Sequence, residues 1–117
     1  MGERYQRAKG KIFERELAEW FSQITKTKWR RTPLSGGLCM DFPGDIMKIG
    51  NFPTILDNIL IEAKFQKKLS IGSWIKQTEE ETKDADLKRW LLFFKKMGKI
   101  YVVMDIDHFE KWIKKHE

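Results

Sequence analysis

At 117 residues, 41% hydrophobic and 13% aromatic, the chain has enough apolar content for one core and reads as a single compact domain, which excludes a disordered or fibrous protein. No run of about 18 uncharged apolar residues occurs, the N-terminal residues lack a secretory apolar stretch, and a lone cysteine, Cys39, can build neither an internal disulfide nor a cysteine zinc cluster, so a soluble, cytoplasmic protein away from membranes is expected. The net charge of +6 is uneven, with nine basic residues against four acidic ones through Arg31, a balance that fits a polyanionic partner as well as it fits a solvated surface.

In chain order, residues 11–24 space Phe13, Leu17, Trp20, Phe21 and Ile24 as one face of an amphipathic helix. Residues 28–32 predict a short strand, and Pro33-Leu-Ser-Gly-Gly predicts a loop. Residues 45–49 and 59–65 predict two strands that hairpin onto each other across Gly50-Asn-Phe-Pro. Residues 73–97 predict a mostly helical segment, interrupted near 82–86 and stopped by Gly98. Lys99-Ile-Tyr-Val-Val-Met predicts a β-branched strand, and Asp107 with Glu110 predicts a capped final helix. The expected order is αβββαβα, an α/β fold with a mixed sheet flanked by helices. Trp20, Trp74, Trp90 and Trp112 fall in helical patterns and read as core or interface, whereas His108 and His116 read as surface residues.

Chemistry concentrates in Ile-Leu-Ile-Glu-Ala-Lys-Phe, residues 59–65. Strand alternation puts Leu60, Glu62 and Lys64 on one face, with the two charges about 7 Å apart. Ions in a strand that otherwise looks buried must be paired, reach a wet cleft, or hold a metal. Asp45, at the start of the preceding strand, is the nearest upstream partner for Glu62, because neighbouring strands lie about 4.8 Å apart and their carboxylates can converge on one cation. Oxygen-only ligands favour Mg²⁺ or Mn²⁺. Such an ion would polarise a phosphate and acidify a bound water, with Lys64 placed to orient that water or to stabilise developing charge.

Pro43-Gly44-Asp45 followed by Glu62-Ala63-Lys64 resembles the PD-(D/E)xK nuclease signature. Gly10-Lys-Ile-Phe-Glu14-Arg15 resembles the G-x-x-x-E-R helix of the archaeal and phage Holliday junction resolvases, and Arg31-Thr-Pro-Leu-Ser35-Gly36 resembles their phosphate-contacting loop. The resemblance spans about half the chain. It implies a restriction-endonuclease-like fold, in which Asp45, Glu62, the Ala63 carbonyl and Glu14 hold Mg²⁺ (Mn²⁺ substituting), Lys64 positions the attacking water and Ser35 assists at the phosphate. Helical periodicity alone does not choose between Glu14 and Glu16, which sit on opposite edges of the apolar face. Gln77 resembles an accessory residue of some nucleases of this fold.

On this reading residues 1–10 are a flexible basic arm, and Arg4, Arg7, Lys9 and the following Lys11 grip DNA, while Arg30, Arg31, Lys67 and Lys68, with Lys26 and Lys28, face phosphates. The acidic run Glu79-Glu80-Glu81 is expected to face away from DNA. The expected activity is metal-assisted cleavage of four-way or other branched DNA by a homodimer, in a prokaryotic or phage-infected cytoplasm. Trp90, Leu91, Phe93 and Phe94 are the expected interface. The alternatives are a restriction, nicking or repair nuclease of the same fold, or a non-catalytic DNA-binding module.

Overall fold

The structure, a computed structural model, describes residues 3–33 and 43–116. Ser35, Cys39 and the side chain of Arg4 lie outside the described residues. Helix α1 spans Glu3–Thr25. The segment expected as a flexible arm is therefore helical from Glu3 onward, as its Glu, Arg, Gln, Ala and Lys content favours. Phe13, Leu17, Ala18 and Phe21 are buried along one face, while Trp20 and Ile24, expected on the same face, stay half exposed.

Lys26 takes a left-handed φ of 59°, and the chain turns back onto the helix. The Trp29 backbone N–H donates to the Ser22 hydroxyl at 2.9 Å, and its indole N–H donates to Thr25 Oγ1 at 2.9 Å. Strand β1 (Trp29–Arg31) then pairs antiparallel with β2 (Ile46–Lys48), Arg30 opposite Met47. The expected hairpin between the strands at 45–49 and 59–65 does not form. Its connection is too long for a tight turn and folds on itself, held by Lys48 Nζ at 2.8 Å from Asp57 Oδ1 and by Thr54 Oγ1 at 3.0 Å from the same atom.

Strand β3 (Ile59–Lys64), helix α2 (Ile71–Asp84) and strand β4 (Arg89–Lys96) form a parallel crossover unit, with Glu62 opposite Leu92 and Lys64 opposite Phe94. Helix α2 stops where Asp86 adopts φ 57° and the Leu87 N–H donates to the Thr82 carbonyl at 2.9 Å. Residues 89–96, expected as helix, are the central strand of a β3-β4-β5 sheet. The continuous apolar run suits a strand covered on both faces, and such a run carries no period by which to tell it from a helix. Leu91 and Phe93 join the core with Phe13, Leu17 and Phe21; Trp90, Leu92 and Phe94 join a second core with Leu60 and Trp74. These side chains are core, which removes them as the expected dimer face.

Strand β5 (Lys99–Val103) returns antiparallel through Met97 and Gly98, at φ 50° and 79°. Gly98 thus closes a two-residue hairpin instead of ending a helix. Helix α3 (Ile106–Lys115) is capped by Asp105, whose carboxylate accepts from the His108 N–H at 2.9 Å, in place of the expected Asp107. His108, expected on the surface, is 3% exposed with its ring edge-on to Trp112 at 5.7 Å. Burial and the Arg89 charge hold its pKa below the usual imidazole range. The observed order is αβββαββα, an α/β fold compatible with a restriction-endonuclease-like core.

Candidate active site

The site forms where the start of β2 meets the C-terminal end of β3. The Asp45 backbone N–H donates to the Ile61 carbonyl at 2.7 Å, and Asp45 Oδ2 accepts from the Ala63 N–H at 2.8 Å. Gly44 makes this approach possible. Its φ is 86°, and a Cβ there would stand 2.7 Å from the Ile61 oxygen. The insertion of glycine between Pro43 and Asp45 is thereby accounted for.

Glu62 follows as the expected alternation requires. It lies on the α2 side of β3 with Leu60 and Lys64, and is only 4% exposed. Burial, the Asp45 charge and a side-chain hydrogen bond with Glu81 push its pKa well above the usual carboxylate range. Burial also raises Asp45, to about 6; the Ala63 N–H opposes that rise, and the Glu14 charge adds to it. Lys64 Nζ donates to Gln77 Oε1 at 3.2 Å, and Gln77 Nε2 donates to Glu81 Oε1 at 2.9 Å. Sequence reasoning missed Glu81 and turned its run away from the site. The available signal was its position four residues after Gln77, one helical turn along the same face.

Glu14 lies near enough for its charge to act on Asp45, but Arg31 Nε holds its carboxylate at 3.0 Å. Arg31 is therefore partly buried in an ion pair rather than presented to phosphate, and its Nη2 has no partner among the described residues. Among the described residues, no three acidic, histidine or cysteine side chains gather closely enough to cage a cation. A hexacoordinate Mg²⁺ seldom needs such a cage, since it keeps several waters and takes one or two carboxylates plus substrate phosphate. Asp45 and Glu62, two adjacent carboxyls disfavoured as anions where they stand, fit that demand, because a cation restores what burial and mutual repulsion withhold.

A groove of about 550 Å³ opens over this point, lined by Arg7, Glu14, Asp45, Lys64, Lys67 and Lys68. Of the residues expected to contact DNA, Arg7, Lys67 and Lys68 thus share the groove. Lys9 instead sits over the Phe65 ring at 3.9 Å, and Lys11 and Arg30 are exposed elsewhere. An acidic centre beneath a basic rim can hold a phosphodiester while a cation offsets the repulsion between its oxygens and the carboxylates. No helix among the described residues is long and apolar enough to cross a membrane.

The comparisons agree with this geometry. The model of a family described as "Phage putative PDDEXK endonuclease" matches residues 5–117, and nucleases of that kind typically use divalent metal ions. No curated protein and no solved structure matches the chain. With Asp45 and Lys64 sharing one groove, Glu62 buried within reach of the Asp45 charge, and the match running over nearly the whole length, the chain belongs to this PD-(D/E)xK endonuclease family.

Proposed function

We propose that this endonuclease is a Mg²⁺-dependent, structure-selective enzyme that cuts four-way DNA junctions by phosphodiester hydrolysis. The observation that carries the reading is the placement of Asp45 and Lys64 in a groove rimmed by Arg7, Lys67 and Lys68, with the Glu62 carboxyl buried close enough to Asp45 to feel its charge. A bound divalent ion would supply Lewis acidity and an acidified water. Asp45 and Glu62 would hold it, with the Ala63 carbonyl adding a neutral donor. Lys64, steered by Gln77, would orient the water or offset charge on the phosphate, while Ser35 would assist at the phosphate. Glu14 would enter the site by exchanging Arg31 for the cation.

Cutting a junction on two strands needs two sites, and one chain supplies one, so a two-fold homodimer belongs to the reading. Strand β5 is an edge strand, and Trp20, Ile24, Ile100, Val102, Phe109 and Ile113 leave apolar surface exposed around it and along α1 and α3. A cavity of about 420 Å³ between Trp20, Val102 and Trp112 offers a hole for apolar knobs. A phage-encoded enzyme of this kind would act in the cytoplasm of its host.

The test is cleavage of a synthetic four-way junction against linear and mismatched duplexes, with and without Mg²⁺. Asp45→Asn should abolish cutting while junction binding persists. Cutting at the wild-type rate by that variant would remove Asp45 from the metal, and equal cutting of linear duplex would move the substrate toward a restriction or repair role.

A further inference from the structure

Helix α1 carries a glycine at a place where helical order gains nothing from it. Gly10 is the eighth residue of a 23-residue helix, well inside its turns, where glycine is the least favoured residue after proline. Two structural needs ordinarily justify such a residue, a left-handed backbone or a close approach by other atoms. Gly10 has neither. Its backbone is helical, and a Cβ built on it meets nothing within 4 Å beyond the adjoining turns of its own helix. Gly44, by contrast, needs its bareness on both counts. Among the described residues, the fold gives no reason for a glycine at position 10.

The groove gives one. Gly10 lines it together with Arg7 and Glu14, and positions 7, 10 and 14 are three and four residues apart, so they share one face of α1. On that face the backbone lies bare between a cation and a carboxylate. Arg7 and Glu14 are separated by about 10 Å along the helix axis, or about three steps of a duplex strand at ~3.4 Å each. The remaining lining, Asp45 and the run from Ala63 to Lys68, adds two signature residues and two further lysines. Whatever presses against α1 here has to tolerate those cations. A second copy of the same groove would be repelled by them, whereas a phosphodiester backbone is drawn in. Any side chain at position 10 would hold that backbone off the helix by its own thickness. With Glu14 one turn further along, the lift would be felt at the carboxylates.

We propose that Gly10 is a substrate-binding position, a saddle in α1 over which the DNA backbone passes: the missing side chain lets the strand sink to the depth of Asp45. This rests on the nuclease reading above and adds to it the path of the strand, across α1 from Arg7 toward Glu14. The helix accepts a weaker turn in exchange for that depth. Stability and cutting are therefore opposed at position 10, and a larger side chain moves them in opposite directions. A glycine kept for packing would behave otherwise, since filling its place would harm both together.

The experiment compares full-length wild type with Gly10→Ala, Gly10→Leu and a matched control, Gly72→Leu. Gly72 is also helical, in α2, also has nothing within 4 Å of its would-be Cβ, and does not line the groove. Thermal melting, junction affinity in chelator and junction cleavage in Mg²⁺ are measured for each. Gly10→Ala should melt about 2–5 °C above wild type, as helix propensity dictates, and lose about 10-fold in kcat/KM. Gly10→Leu should also melt above wild type, bind the junction more weakly and lose about 100-fold in kcat/KM, the cost of displacing a substrate by about 1 Å. Gly72→Leu should bind and cut as wild type does. Wild-type binding and cutting by Gly10→Leu would overturn the proposal, and so would melting below wild type, which would make Gly10 a packing residue. A loss of equal size in Gly72→Leu would overturn it as well, because the damage would then not belong to the groove. A change of oligomeric state in Gly10→Leu, read by light scattering, would assign the bare patch to a second chain instead of DNA. If wild type itself neither binds nor cuts DNA, the nuclease reading fails and this inference with it, an outcome distinct from a functional wild type indifferent to position 10.

Discussion

Glu62 is buried where a carboxylate is least comfortable, and that discomfort is measurable without DNA. Its pKa in the folded chain is raised, as is that of Asp45, so between the unfolded values near 4 and the higher folded ones the native state binds more protons than the unfolded state. Metal-free stability from these two groups is therefore complete below about pH 4 and is lost as pH rises through 6 and beyond. Glu62→Gln should raise the melting temperature at pH 7 in chelator, by about 0.5–2 kcal/mol in stability, while removing cleavage. A variant melting below wild type under those conditions would show Glu62 to be structural. Alternation along residues 59–65 made Glu62 and Lys64 legible from sequence; the nearness of Asp45 was expected from a hairpin that does not form, and is secured instead by its bonds to Ile61 and Ala63. Glu81 was hidden, because an acidic run on an amphipathic helix looks like a solvated face until the helix is docked. The Arg31 to Glu14 pair was equally hidden, since it joins elements whose approach no local pattern encodes.

At the level of elements, the join between β2 and β3 depends on Gly44. Alanine there meets both a left-handed φ and the Ile61 carbonyl oxygen at 2.7 Å, so Gly44→Ala should cost about 1–3 kcal/mol in chemical denaturation. It should also lower kcat by displacing Asp45 while junction affinity holds. Unchanged kcat would mean that the join bends without moving the carboxylate. Helix α1, β1, β3 and β5 were readable from periodicity and β-branched content. The run Trp90-Leu-Leu-Phe-Phe was not, because burial on both sides erases the alternation that marks a strand, and the helical stretch before it invited continuation. The cap at Asp105 escaped because Asp107 with Glu110 offered a competing pattern two residues later, and only the extended backbone at Asp105 decides between them.

Across the whole molecule, charge and apolar surface divide the labour. Replacing Arg7, Lys67 and Lys68 together by alanine should weaken junction binding and flatten the slope of log affinity against log salt by roughly 2–3, one counterion per lost phosphate contact. A slope equal to that of wild type would move the DNA path off this groove. The apolar side makes a separate forecast. Val102→Glu, placed on the exposed edge strand at a residue 52% accessible, should yield a folded monomer by light scattering that nicks a junction without the paired second cut. A variant that stays dimeric would place the two-fold contact elsewhere. The ribbon of β1 and β2 bonds to the larger sheet at Asp45, but it is also rooted below: Trp29 and Ile46 lie in the same buried cluster as Phe21, Ile61 and Phe93. Its strands cannot lift away without opening that core, so on warming the catalytic carboxylates should stay together until the chain melts, and loss of cutting should coincide in temperature with loss of folded structure.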